Sequence, residues 1–283
     1  MARYLSFSEA LLDDRIMVYT EVIPSCNNKC FFCPIDKLDR EDQISKDVEG
    51  RVVNFLANTP HKKYRVFLHL LGEPLLYKGL EQYIRRLNFP HVELWMSTNG
   101  VLLTARRLQA LHAAGLRNVW FSMFYTNEQE YRDKAGSELF ETAHTNLQHL
   151  LSVHSIFRRV HIVTFAREAS LLAASVRALS NVTLQQPRRI EKWRSDGRRR
   201  HASFFTPSRF RWMKSICITS AGNVAFDWKD YNAEESPGNI LNLSDSAILD
   251  GYYRSGVFNR PRERIARLLR LAKKCTGRMR TRG

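Results

Sequence analysis

Residues 16–33 read IMVYTEVIPSCNNKCFFC, an apolar run that passes directly into a loop carrying Cys26, Cys30 and Cys33. β-branched and aromatic residues bounded by Pro24 and Ser25 predict a strand over 16–22. The C-x3-C-x2-C spacing behind it puts three thiols on one short loop. Three thiolates can fill three corners of an iron–sulfur cubane and leave its fourth iron open, as a catalytic site keeps an open position. The other reading is a structural zinc, which takes four ligands, and no fourth Cys or His lies nearby in the chain to complete the tetrahedron.

The pattern repeats outward from this stretch. Runs rich in Val, Ile, Phe and Trp predict further strands near 64–71, 92–97, 117–124, 158–165 and 181–185. Segments of helical period fill most gaps, at about 44–57, 77–88, 104–114, 139–153 and 168–180, the third opening at a Thr104 cap and closing at Gly115. Alternating β and α units imply a parallel sheet, and six of them suit an incomplete barrel. The expected fold is α/β, a partial (β/α)6 barrel with a small C-terminal α+β extension. Ligands of such sheets sit at the C-terminal ends of the strands. The cysteine loop follows strand one, Gly72-Glu73-Pro74 follows strand two and Ser97-Thr98-Asn99-Gly100 follows strand three, so all three are expected to converge.

In order and spacing, the cysteine motif with Phe32 before its third cysteine, Gly72-Glu73-Pro74 and the Ser-Thr-Asn-Gly turn resemble the radical S-adenosylmethionine (SAM) superfamily over residues 16–190. The resemblance implies one [4Fe–4S] cluster on Cys26, Cys30 and Cys33, with SAM chelating the open iron. It further implies an electron passed into the SAM sulfonium and a 5′-deoxyadenosyl radical that takes hydrogen from a substrate C–H bond. Acceptors around Gly72, Glu73 and Pro74 would hold the SAM ammonium group, Phe32 would pack on adenine, and Ser97, Asn99 and Ser122 would bond ribose or carboxylate. Relatives often place an arginine after strand four to pair with that carboxylate. Here Ala135 stands at that place, which leaves Arg132 or Lys134 for the role, or both as solvated helix charges.

The sequence divides into a barrel over 1–190, a basic and aromatic linker over 191–214, and an extension over 215–283. In the extension, Ser215–Ser220 and Asn223–Trp228 flank Ala221-Gly222 as a hairpin, followed by two helical stretches. Cys217, Gly222-Asn223-Val224, Pro237-Gly238-Asn239-Ile240 and Cys275 resemble the SPASM or twitch module that binds an auxiliary cluster. Asp227 and Arg278 stand where two of its four cysteines would align, so a second cluster is not expected. Cys217 and Cys275 then read as remnants, as small buried hydrophobes, or as thiols that return a hydrogen atom to a substrate radical. Without an auxiliary electron acceptor, epimerisation, elimination or rearrangement gain weight beside oxidation.

The 283 residues carry a formal charge of +16, concentrated in Arg188–Arg200 and in the tail from Arg262. That charge suits a solvated surface, an anionic substrate, or docking of an acidic electron donor such as flavodoxin or ferredoxin. A nucleic-acid partner is disfavoured, since no binding motif of that class is present. Three clustered cysteines in an odd total of five exclude a secreted disulfide framework, and the absence of a long apolar run or signal-like start points to the cytoplasm. Within the superfamily, GEPLLYKGL and the following Leu-Gln-Ala-Leu run look like small enzymes acting on sugars and aminocyclitols. A maturase of ribosomally made peptides is the alternative, and a non-catalytic metal-binding protein with a basic partner surface is a third.

Overall fold

A computed structural model of the chain describes residues 15–165, 170–185 and 214–255. Six strands appear in chain order where alternating apolar residues expect them: β1 (Ile16–Thr20), β2 (Tyr64–Phe67), β3 (Val92–Thr98), β4 (Asn118–Ser122), β5 (Arg159–Val163) and β6 (Val182–Gln185). All pair in parallel with their sequential neighbours, in register Ile16 to Tyr64, Tyr64 to Val92, Trp95 to Asn118, Asn118 to Arg159 and Val160 to Val182. Parallel pairing requires a crossover between strands, and helices α1 (Lys46–Asn58), α2 (Leu80–Leu87), α3 (Ala105–Ala114), α4 (Glu128–Ala135), α5 (Phe140–Ser152) and α6 (Ser170–Val176) supply it.

Local chemistry sets the helix ends. Ser45 accepts from the Val48 amide at the start of α1, and Thr104 accepts from the Arg107 amide at the start of α3. Gly115 closes α3 at φ 117°, where a side chain would meet Asn88. The helices cover one sheet face, burying Val18, Val66, Leu94, Met96, Val119, Phe121, Val160 and Ile162 in the main core. Full burial of an aliphatic or aromatic side chain contributes about 1.5–3 kcal/mol, so this face dominates the stability of the barrel. The alternate strand positions carry Tyr19, Phe67, Trp95, Trp120 and His161, whose rings contact one another across the strands.

Two features depart from the reading of the sequence. Helix α4 was not among the helical stretches read from periodicity, although Arg132 and Lys134 were allowed as helix charges, because its sequence EQEYRDKA buries only Tyr131 and Ala135 and so shows little helical stripe. The expected hairpin forms, as β7 (Lys214–Ile218) antiparallel to β8 (Val224–Asp227), but it does not stand apart from the barrel. β7 lies parallel to β1, with Tyr19 opposite Cys217, and the sheet runs β6-β5-β4-β3-β2-β1-β7-β8. Helix α7 (Asp245–Arg254), capped by Ser244, packs on this hairpin. Among the described residues the architecture is thus an open barrel of six parallel strands joined by five helical crossovers and extended at its β1 edge. The basic runs, Cys275, Arg278 and linker residues 191–213 lie outside the described residues.

Candidate active site

The cysteine loop is fixed from three sides. Its backbone joins α4, with Lys29 N donating to Ala135 O at 2.8 Å and Phe31 N to Lys134 O at 2.9 Å. Buried Asn28 donates through Nδ2 to the Tyr131 hydroxyl at 2.9 Å. On the second side stands Gly72, at φ 80°, where a Cβ would lie 2.1 Å from Ile23 O and 2.9 Å from Ser25 O; no residue but glycine fits this approach. The next amide, Glu73 N, donates to Ser25 O at 2.8 Å.

On the third side is Asn99. Its Nδ2 donates to Asn27 Oδ1 at 2.7 Å and to Cys26 Sγ at 3.6 Å. Glu73, 2% exposed, ties the second and third sides together: it accepts from Thr98 Oγ1 at 2.7 Å, Asn99 N at 2.8 Å and Leu75 N at 3.2 Å. Burial pushes its carboxyl up to about 7. Both of its oxygens are engaged with β3 and its own turn, so Glu73 acts here as a brace between motifs.

A second buried carboxylate works in the same way from β1. Glu21 forms a bidentate pair with Arg40 at the far end of the cysteine loop, with Nη2 to Oε1 at 2.7 Å, and accepts from Leu71 N at 3.3 Å and Ser220 N at 3.0 Å. It therefore joins the cysteine loop, the turn before Gly72 and the β7–β8 hairpin. Nothing in the local sequence around Glu21 advertised this role, since its partners lie up to 199 residues away.

Cys26, Cys30 and Cys33 are half-buried, unpaired in disulfides, and pushed up to about 11, 12 and 11, chiefly by burial. Such thiols are protonated near neutral pH, and a metal that binds them displaces their protons to water. The donor set fits an iron–sulfur cluster: three soft ligands on one loop, with Asn28 N at 3.4 Å and Asn99 Nδ2 directed at Cys26 Sγ as donors to a thiolate. Among the described residues no three Cys, His, Asp or Glu side chains converge on a single ion.

Phe32 sits edge-on to Phe124 at 5.2 Å and Phe165 at 5.6 Å, two rings that stack on each other at 4.9 Å beyond β4 and β5. Both were missed in the sequence; their positions just past the strand ends were the available signal. Ser97 and Ser122 lie half-buried near the same ends of β3 and β4. Arg132 is not brought to the loop: it is paired with Glu128 at 3.1 Å and Glu138 at 2.7 Å on the exposed side of α4. Lys134 stands over the Phe31 ring at 5.6 Å. Cys217 is wholly buried with Leu70, Ala225 and Ala233, its sulfur 3.2 Å from Ser215 Oγ. Asp227 accepts from Lys229 N at 3.0 Å.

The profile of the radical SAM superfamily matches residues 20–164, which span the cysteine loop and both turns. The chain belongs to the radical SAM superfamily. Enzymes of this family use a [4Fe–4S] cluster and SAM. A GTP 3′,8-cyclase of Helicobacter pylori is 33% identical over 118 residues, covering 39% of this chain and 36% of the relative. An S-adenosyl-L-methionine-dependent 2-deoxy-scyllo-inosamine dehydrogenase of Niallia circulans is 29% identical over 105 residues, covering 36% and 42%. The radical SAM chain thus spans well under half the length of these curated relatives. Among solved structures, BtrN in complex with AdoMet and 2-DOIA aligns over 85% of this chain and 83% of its own, with TM-score 0.51 and 19% identity. The AdoMet-bound anSMEcpe aligns over 83% and 80%, with TM-score 0.61 and 13% identity. Both likenesses establish the fold. No helix among the described residues is long and apolar enough to cross a membrane.

Proposed function

We propose that this radical SAM enzyme cleaves SAM reductively at a [4Fe–4S] cluster held by Cys26, Cys30 and Cys33, and abstracts hydrogen from a small sugar- or cyclitol-like substrate. The observation that carries the reading is the junction of three motifs at one loop: Gly72 pressed against Ile23 O and Ser25 O, Glu73 holding Asn99, and Asn99 donating to Cys26. Bound on Cys26, Cys30 and Cys33, such a cluster would supply the single electron that reductive cleavage of SAM requires.

The chain's own residues position and enclose. Backbone carbonyls around Gly72 and Pro74 accept from the SAM ammonium, and Glu73 keeps that turn in place. Asn99 and Asn28 present N–H groups that favour the thiolate form of Cys26. Phe32, Phe124 and Phe165 form an aromatic cage at the loop, suited to the adenine ring and to keeping water from a reactive radical. Ser97 and Ser122 offer hydroxyls to ribose or to the carboxylate. Arg132 is a weaker candidate for the carboxylate because Glu128 and Glu138 already hold it. The burial of Cys217 supports packing over hydrogen donation, and Cys275 remains a candidate donor.

The small-molecule reading draws on the inosamine dehydrogenase relative; oxidation, epimerisation and elimination are all open to it, with an acidic flavodoxin or ferredoxin as electron donor. Anaerobic enzyme given SAM and dithionite should release 5′-deoxyadenosine and methionine, and Asn99→Ala should lower the rate at least tenfold while the fold is retained. Release at the wild-type rate from the variant, or none from the wild type, would reject the assignment.

A further inference from the structure

The residue before each of the first five parallel strands is basic: Arg15 before β1, Lys63 before β2, His91 before β3, Arg117 before β4 and Arg158 before β5. Strand register gathers them into two rows. Ile16 is level with Tyr64 and Tyr64 with Val92, so Arg15, Lys63 and His91 share one level. Asn118 is level with Arg159, so Arg117 and Arg158 share another. Neighbouring strands lie about 4.8 Å apart, a spacing at which like charges repel unless a counter-charge meets them.

All five residues line one cavity of about 480 Å³, within the size range of small-molecule sites. It opens at the N-terminal ends of the strands. The seven residues of β3 separate that end from the Asn99 turn and the cysteine loop by roughly 20 Å. Glu93 is the one carboxylate in the lining among the described residues, and Arg15 at 3.4 Å, Arg65 at 3.0 Å and Arg159 at 2.7 Å already hold it. Helices α1, α2 and α3 end beside the cavity, each end worth roughly half a negative charge. Arg117 meets one of them, Nη1 donating to His112 O at 2.6 Å and Leu116 O at 3.0 Å, and keeps the rest of its guanidinium for another acceptor. The exposed side chain of Arg158 has no hydrogen bond or ion pair among the described residues. Arg15, Lys63, Arg65, Arg117, Arg158 and Arg159 thus set six cations against one carboxylate and three helix ends. Cations that served only to hold this end of the barrel together would be matched by acids, as Glu93 matches three of them.

We propose that this cavity is a second ligand site, at the opposite end of the barrel from the cysteine loop, and that it takes a small phosphorylated molecule. A phosphate group accepts from guanidinium forks in pairs, which suits Arg117 and Arg158 side by side on adjacent strands. Pro90 and the ring of His91, stacked on Phe89 at 5.6 Å, give the rest of such a molecule an apolar wall. The cations lie within two strand levels around a concave space, a shape for a compact ligand and not for an extended polyanion. The proposal shares no residue with the radical SAM reading of the cysteine loop, and each stands or falls without the other.

Calorimetric titration of the full chain, reconstituted with iron and saturated with SAM, tests the site at physiological ionic strength with ribose 5-phosphate, inorganic pyrophosphate and, as the uncharged control, ribose. Saturable binding of one phosphorylated molecule per chain is expected, and none of ribose. Arg158→Gln, which removes an exposed charge and no contact within the fold, should weaken binding roughly tenfold. Arg117→Lys, which keeps the charge and loses the fork, should weaken it roughly three- to tenfold. The chain with both Arg199 and Arg200 changed to Gln loses more charge elsewhere and should stay within about twofold of the wild type. No binding of either phosphate compound, unchanged affinity in Arg158→Gln, or an equal loss in the Arg199 and Arg200 variant would overturn the site. Displacement of SAM by either compound would put the binding at the cysteine-loop end and overturn it as well. Iron content and SAM cleavage, read on the same samples, decide the radical SAM reading separately.

Discussion

At the scale of single residues, the site is held by two buried carboxylates with different visibility. Glu73 belongs to a recognisable turn, and its position after β2 was legible; that both its oxygens face β3 was not. Glu21 reads in sequence as one more strand residue. In the structure it is fully buried, and Arg40, its partner, has a side chain only 7% exposed. Removing one member of a buried ion pair strands the other charge, so Glu21→Ala should cost about 3–5 kcal/mol in urea unfolding, with Glu21→Gln recovering part of it. A loss below about 1 kcal/mol would show that the pair is not closed in solution. Histidine titration gives a second test. His69 and His161 are held near 4 in the fold against about 6.5 when unfolded, so the unfolded chain binds more protons between those values. Their contribution is full above pH 6.5 and is lost as pH falls toward 4, at roughly 1 kcal/mol per unit for each histidine. Glu73, raised to about 7, contributes with the opposite sign between about 4.5 and 7. The difference between wild type and His161→Gln isolates the histidine part: the variant's urea midpoint should fall less between pH 7 and 4.5.

At the scale of elements, β1 to β6 and five of the six crossover helices were legible because each carries its own periodicity and caps. Helix α4 was not, because a helix that buries two residues has little stripe to read, and yet it supplies Tyr131 and the backbone acceptors that seat the cysteine loop. The parallel pairing of β7 with β1 was equally hidden, since a contact across about 200 residues leaves no local trace. Two glycines separate conformational need from mere presence. Gly50, within α1, has its nearest neighbour at 3.6 Å, so Gly50→Ala should stabilise the chain by about 0.5–1 kcal/mol. Gly72→Ala drives a methyl into backbone oxygen at φ 80° and should abolish iron incorporation. Iron content and thermal melting of the pair decide both points.

At the scale of the whole molecule, the hairpin, the barrel and the cysteine loop form one connected body through Glu21. Ser220 N on the hairpin and Arg40 on the loop share that carboxylate, and β7 covers the β1 edge of the sheet. A chain ending before Ser215 would expose the long hydrophobic edge of β1, and it is expected to aggregate in place of folding as a smaller barrel. Recovery of a soluble, cooperatively melting fragment would show instead that the hairpin is an independent appendage. Iron and acid-labile sulfide per chain, measured after anaerobic reconstitution of wild type and of the variant with Cys26, Cys30 and Cys33 all changed to Ala, test the cluster most directly. About four of each in the wild type, falling to none in the variant, is the expected result. No iron in the wild type, or the same iron in both, would contradict it.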